Sequence, residues 1–291
     1  WEIEKGVKGY FALFLLLVVA FLPLAAAVFL NLVARSKNWR NLPMAVLLML
    51  LGAVNLAFHT SHRGLLPVAP GALLQAAVLL MVAVMSIVAG RVIPAFIGSA
   101  VPGSRPRVHA RVEQSLLPLT AVALLLWLLA PQSGWTALAL FALASVHALR
   151  CVLWRPWVAR GRPILWILPA AYAWIPFGLA LLGAASLGFL PATIGIHALA
   201  AGAMGALIVG MMSRTSRGHT GRPLQPGRSE RWAYRLVLAG AAVRVVAPLA
   251  GGSAASVGLA IAAALWSTAF ALLLFTLAPW LLSPRLDGRP G

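Results

Sequence analysis

Long apolar runs, separated by short polar segments, dominate the chain. Each run approaches the roughly 20 residues that an α-helix needs to cross a bilayer, and none shows the alternation that predicts strands of a membrane barrel. The pattern therefore predicts an all-α, polytopic transmembrane helical bundle of about nine spans, as one integral membrane domain over residues 1–291. The predicted helices are Tyr10–Val33, Leu42–His59, Pro70–Ile93, Leu116–Ala130, Trp135–Leu153, Ile164–Leu182, Ala192–Met212, Trp232–Pro248 and Val257–Leu281.

The composition supports a membrane protein whose partner is the lipid bilayer. Of the residues, 62% are hydrophobic and 10% are charged, whereas soluble domains carry about 25% charged residues. The net charge of +18 does not indicate nucleic-acid binding, because the basic residues lie in short loops between apolar runs. The single Cys151 cannot form an internal disulfide. Because the chain begins at Trp1 instead of methionine, we expect an N-terminally truncated fragment.

The distribution of basic residues predicts the orientation. Most of the 23 lysines and arginines lie in loops after the first, third, fifth and seventh predicted helices and in the C-terminal tail. The opposite loops hold only Lys5, Lys8 and Arg63. By the positive-inside rule the arginine-rich side is cytoplasmic. We therefore expect the N-terminus outside and the C-terminus inside, with the arginines after Met212 acting mainly as anchors at anionic lipid.

Ionisable residues within the spans indicate candidate chemistry, because their insertion is costly. All five carboxylates are predicted to lie in loops or tails, so we expect no carboxylate proton relay across the membrane. These carboxylates are Glu2, Glu4, Glu113, Glu230 and Asp287.

Histidines and one arginine then supply the candidate site. His59, His197 and Arg244 are predicted in the outer half of the membrane, and His147 in the inner half. Neutral imidazole ligates haem iron, copper and zinc. We therefore predict His59, His147 and His197 as metal ligands, with simple hydrogen bonding between helices as the alternative. Arg244 needs an anionic partner, such as a haem propionate, or a water-filled cavity.

The seventh predicted helix carries two further features. Beyond its end, Arg214, Arg217 and His219 form a secondary candidate site, in which a backbone nest holds an anion or a cofactor group. Within it, small residues recur at every fourth position, which lets another helix or a flat macrocycle approach closely. The small residues are Ala198, Gly202, Ala206 and Gly210.

Several blocks of the sequence resemble the NnrS family, in the expected order from about residue 10 to the end. The most specific block is "HALAAGAMGALIVGMMSRTSRGHTGRPL" (197–224). The weaker blocks are "NWRNLPMAVLLMLLGAVNLAFH" (38–59), "AGRVIPAF" (89–96), "HALR" (147–150), "YAWIPFGL" (172–179) and "PRLDGRPG" (284–291).

This resemblance implies a multi-pass protein of the bacterial inner membrane, with a periplasmic N-terminus in this chain. It also implies association with haem and copper, and a role in nitric-oxide response and protection from nitrosative stress, often alongside denitrification. Full members look like twelve-helix proteins with an early Trp-His-x-His-Glu motif, so this chain lacks N-terminal helices that would be its partners. Because they lie in matching blocks, His59, His147, His197 and His219 are the positions to which the resemblance extends a cofactor role.

Three functions stay open from the sequence. The first is a haem- and copper-binding protein that acts on nitric oxide or a related small molecule. The second is a transporter or channel for a small solute or anion, which prolines within the spans and the interior Arg244 favour. The third is an assembly or chaperone protein for respiratory metalloenzymes, which suits spans without carboxylates.

Overall fold

The computed structural model describes residues 2–288, and the side chains of residues 17–288. Helix accounts for 82% of the structure, and no strand occurs in the described part. Within that part, nine helical segments are long and apolar enough to cross a membrane, which confirms the predicted all-α bundle. Trp1 and Arg289, used above for the chain start and the charge distribution, lie outside the described residues.

The spans follow one another with short connections. The first are α1 (Glu2–Arg35), α2 (Leu42–His62), α3 (Pro70–Ala100), α4 (Ala110–Leu129) and α5 (Gly134–Leu153). The next are α6 (Pro163–Tyr172), α7 (Trp174–Ser186), α8 (Ala192–His197), a π-helix (Ala198–Met204), α9 (Gly205–His219), α10 (Arg228–Ala250) and α11 (Gly252–Leu281). Short 3-10 turns at Trp39–Asn41 and Pro156–Ala159 complete the described helices.

The backbone divides into two compact units, and the first is Trp1–Ile87. In it, α1 packs against α2. The Asn55 amide Nδ2 donates a hydrogen bond to the carbonyl of Val18, with a nitrogen–oxygen distance of 3.1 Å. Gly52 gives room to the ring of Pro23, since a Cβ added there would lie 2.9 Å from Pro23 Cδ.

The second unit, Val88–Gly291, contains a tightly packed core. The predicted small-residue stripe is buried along the π-helix and α9, and neighbouring helices fill the space that it leaves. A Cβ added to Gly202 would lie 2.5 Å from Trp174 Cδ2, and one added to Gly210 would lie 2.8 Å from a methyl carbon of Leu168. The small residues thus let α6 and α7 pack closely against α9 and the π-helix.

The predicted helix Ile164–Leu182 is two helices, α6 and α7, which meet at Ala173. Pro176 lacks the amide hydrogen that would bond the carbonyl of Tyr172 four residues earlier, which explains an interruption at this point. The prediction placed this proline within one continuous span, whereas the helix is interrupted just before it.

Two predicted loop positions were wrong. Glu113 lies in the first turn of α4 and Glu230 in the first turn of α10, and both helices belong to candidate spans. Each carboxylate pairs with an arginine of another helix, Arg150 and Arg217 respectively. In each pair the arginine supplies a counter-charge, which offsets the free energy cost of burying the carboxylate. The sequence-based expectation took account of this cost but not of the partner.

The predicted helix ending at Met212 continues as α9 to His219. Arg214 and Arg217 therefore lie within a helix, and both side chains are buried. The expectation that they act mainly as anchors at the lipid surface was wrong for these two arginines.

Candidate functional site

A pocket of about 370 Å³ lies between the π-helix, α10 and α11. We call it the Arg244 pocket. Gly240 lets α10 and α11 approach here, because a Cβ at this position would lie 3.2 Å from the carbonyl oxygen of Ala262. The lining residues are Ala201, Gly240, Arg244, Leu259, Ala262, Ala263, Trp266 and Ser267.

Among the described residues that line this pocket, Arg244 is the one that carries a charge. Its side chain is half-buried, and no carboxylate pairs with it among the described residues. A guanidinium in an apolar wall is stabilised by an anion or by water in the cavity. The pocket thus provides the cavity that Arg244 was predicted to need.

His197 ends α8, four residues before Ala201, which lines the pocket; His197 itself is not among the described lining residues. On either side of it, Ile194 and Ala198 pack against Val245. The π-helix that follows carries Ala201 into the pocket wall. Single π-helical turns within α-helices are frequent at functional sites, and here one joins His197 to the pocket.

His147 belongs to a different, fully buried site between α5 and α6. Its Nδ1 lies 2.6 Å from the hydroxyl oxygen of Tyr172. Arg150 Nη1 donates to the same oxygen at 3.0 Å, while its Nε donates to Glu113 Oε1 at 2.7 Å. The Nε2 atom of His147 is buried without a hydrogen-bond partner in the described part of the chain.

The sequence reasoning missed Tyr172 and Glu113. The spacing of His147 and Arg150, three residues apart on one helix face, indicated only these two residues, because Tyr172 and Glu113 belong to other helices. Gly90 completes the arrangement, because a side chain there would occupy the place of the Arg150 guanidinium. Glycine at this position in α3 therefore makes the buried arginine possible.

The remaining predicted site residues include His59 and His219. His59 is half-buried on α2 in the first unit, with its ring centroid 5.4 Å from that of Phe58. His219 is exposed at the end of α9. Arg217, its predicted neighbour in an anion site, instead donates to the carboxylate of Glu230.

No group of three or more histidine, cysteine, aspartate or glutamate side chains is placed to hold a metal ion within residues 17–288.

The comparisons with known proteins agree with the resemblance noted in the sequence. The family model described as "NnrS protein" matches residues 4–285. Neither the search of curated proteins nor that of solved structures found a match. Since the family model covers nearly the whole chain, and the described residues include nine candidate membrane spans, the chain belongs to the NnrS family.

Proposed function

We propose that the protein binds haem in the Arg244 pocket and acts in the bacterial response to nitric oxide from the inner membrane. The observation that carries the proposal is Arg244 in the wall of a mostly apolar cavity, with His197 on the neighbouring helix, where Ile194 and Ala198 pack against Val245. Membership of the NnrS family supports the link to nitric oxide.

The residues around the pocket fit a haem group. An imidazole is needed for the iron, and His197 lies four residues before Ala201, which lines the pocket. Arg244 would pair with a propionate, which is the anion that its position requires. The apolar side chains of Leu259 and Trp266 would contact the macrocycle. A haem iron bound here would supply a site for nitric oxide.

Copper stays a prediction from the family resemblance. Soft and imidazole ligands hold copper in proteins, and the described histidine, cysteine and carboxylate side chains form no group of three or more. We name no copper ligands beyond the predicted histidines. His59 and His147 stay predictions as metal ligands, and they enter the test below.

The test is to purify the full chain and to measure its haem content by the Soret absorbance and its metals by mass spectrometry. We expect His197→Ala to remove most of the haem, because it removes the iron ligand. His109→Ala is the matched control, since His109 is exposed at the start of α4. The same spectra for His59→Ala and His147→Ala test the remaining predicted ligands.

A second pair of variants tests the propionate contact. We expect Arg244→Gln to lower haem affinity roughly tenfold, because a charge-assisted hydrogen bond is lost. Arg235→Gln, at an exposed position of the same helix, should leave the affinity unchanged. A folded wild-type protein without haem, or full haem retention in both His197→Ala and Arg244→Gln, would overturn the proposal.

The Arg244 pocket also favours a second candidate, the passage of a small anion. Liposomes that contain the protein should then show anion flux that Arg244→Gln abolishes and Arg235→Gln preserves. Flux that is equal in both variants argues against transport through this pocket.

A further inference from the structure

A second cavity, of about 680 Å³, lies at the arginine-rich end of the second unit. The end of α3, the start of α6, α9 and the segment before α10 form it. Three arginines line it, Arg162, Arg214 and Arg231, and its described lining residues include no carboxylate. We call it the Arg214 pocket. No described residue of the wall therefore carries a negative charge that would neutralise these arginines.

Arg214 distinguishes this cavity from a solvated basic surface. It is only 8% exposed, and its guanidinium carbon lies 3.7 Å from the centroid of the Phe96 ring. The other two buried arginines, Arg150 and Arg217, each donate to a carboxylate. No carboxylate pairs with Arg214 in the described part of the chain. A buried cation of this kind is stabilised by an external anion.

The rest of the wall favours negative charge as well. Arg162 is held at the edge of the cavity by a hydrogen bond to the carbonyl of Ala100. Helix α6 begins at Pro163, so the positive end of its dipole lies at the same wall. Although Glu230 is next to Arg231 in sequence, its carboxylate is fully buried and bonds Arg217 instead.

The cavity is larger than a single inorganic anion requires, and part of its wall is apolar, at Ile164, Leu165 and Leu224. Guanidinium groups bind phosphate oxygens through paired hydrogen bonds. We propose that the Arg214 pocket binds a phosphate group carried by a small organic molecule or by a lipid headgroup. This site is separate from the Arg244 pocket and does not depend on haem.

The test uses the full chain, purified in a neutral detergent without anionic lipid. Glycerol 3-phosphate is the soluble probe, measured by equilibrium dialysis, and phosphatidylglycerol is the lipid probe, measured by native mass spectrometry. The pocket variant is Arg162→Gln/Arg231→Gln, because both side chains are exposed and their loss spares the buried Arg214. The matched control, Arg160→Gln/Arg235→Gln, removes two exposed arginines that do not line the cavity.

We expect the pocket variant to bind its probe roughly tenfold to hundredfold more weakly, since two charge-assisted contacts are lost. The control variant should bind like the wild type. Dependence of glycerol 3-phosphate binding on the pocket arginines identifies a soluble ligand. Dependence of phosphatidylglycerol binding alone identifies a lipid headgroup. If neither probe binds, or if both variants weaken binding equally, the proposal is wrong.

Discussion

The buried ion pair between Arg217 and Glu230 gives the sharpest prediction about stability. Glu230 is 0% exposed. Its Oε1 accepts from Arg217 Nε at 2.7 Å, and its Oε2 accepts from the backbone amide of Gly227 at 2.7 Å and from Arg217 Nη2. Arg217 also donates to the carbonyl of Pro223 at 2.8 Å. The pair thus joins α9, α10 and the segment between them.

Replacing Glu230 with glutamine keeps the size of the side chain but leaves the Arg217 guanidinium buried without a counter-charge. Removing one partner of a buried pair costs about 3–5 kcal/mol. Two charge-assisted hydrogen bonds at about 1.5–3 kcal/mol each give about 3–6 kcal/mol, which overlaps this range. We therefore expect Glu230→Gln to lower the free energy of unfolding by about 3–5 kcal/mol, and Arg217→Met to have a similar effect.

The assay is unfolding by titration of SDS into neutral detergent micelles, followed by far-UV circular dichroism. The double variant Arg217→Met/Glu230→Met should lose less stability than the two single changes together, because no unpaired charge stays buried. Asp287→Asn, which breaks a pair near the C-terminus, should leave the transition unchanged. A loss below about 1 kcal/mol for Glu230→Gln, the range of exposed pairs, would refute this reasoning.

Three glycine substitutions can be compared in the same unfolding assay; two should destabilise the protein and one should stabilise it. Gly90→Ala should lower the free energy of unfolding by about 1–3 kcal/mol, because its Cβ meets the guanidinium of Arg150; no loss would contradict that packing. Gly202→Ala should cost a similar amount, since its Cβ would lie 2.5 Å from Trp174 Cδ2, and an unchanged transition would contradict it. Gly218→Ala in α9 meets nothing within 4 Å and should stabilise by up to about 1 kcal/mol through helix propensity; a clear loss would be the contrary result.

The nine spans were predictable because the length of an apolar run is a local property of the sequence. Helix starts at the arginine-rich end were less predictable. The prediction began the fourth and eighth spans at Leu116 and Trp232, but α4 begins at Ala110 and α10 at Arg228. The added turns carry the two glutamates that pair with arginines. The cost of burying each glutamate is offset by an arginine on another helix. A local sequence pattern cannot predict such a partner.

The candidate site was partly predictable. His197 and Arg244 attracted attention because they are ionisable residues inside apolar helices, and these helices pack against each other through Ile194, Ala198 and Val245. The contact between His147 and Tyr172 joins residues 25 positions apart, so spacing along one helix gave no indication of it. The π-helix after His197 also has no counterpart in the periodicity of the sequence. That His59 shares a site with His197 stays a prediction.

A cryo-electron microscopy map of the protein purified from its native membrane is the most direct test of haem binding in the Arg244 pocket. We expect haem density in this pocket, with the iron bonded to the His197 imidazole and a propionate against Arg244. Haem density at another histidine, or a well-resolved pocket that holds only lipid, would contradict it.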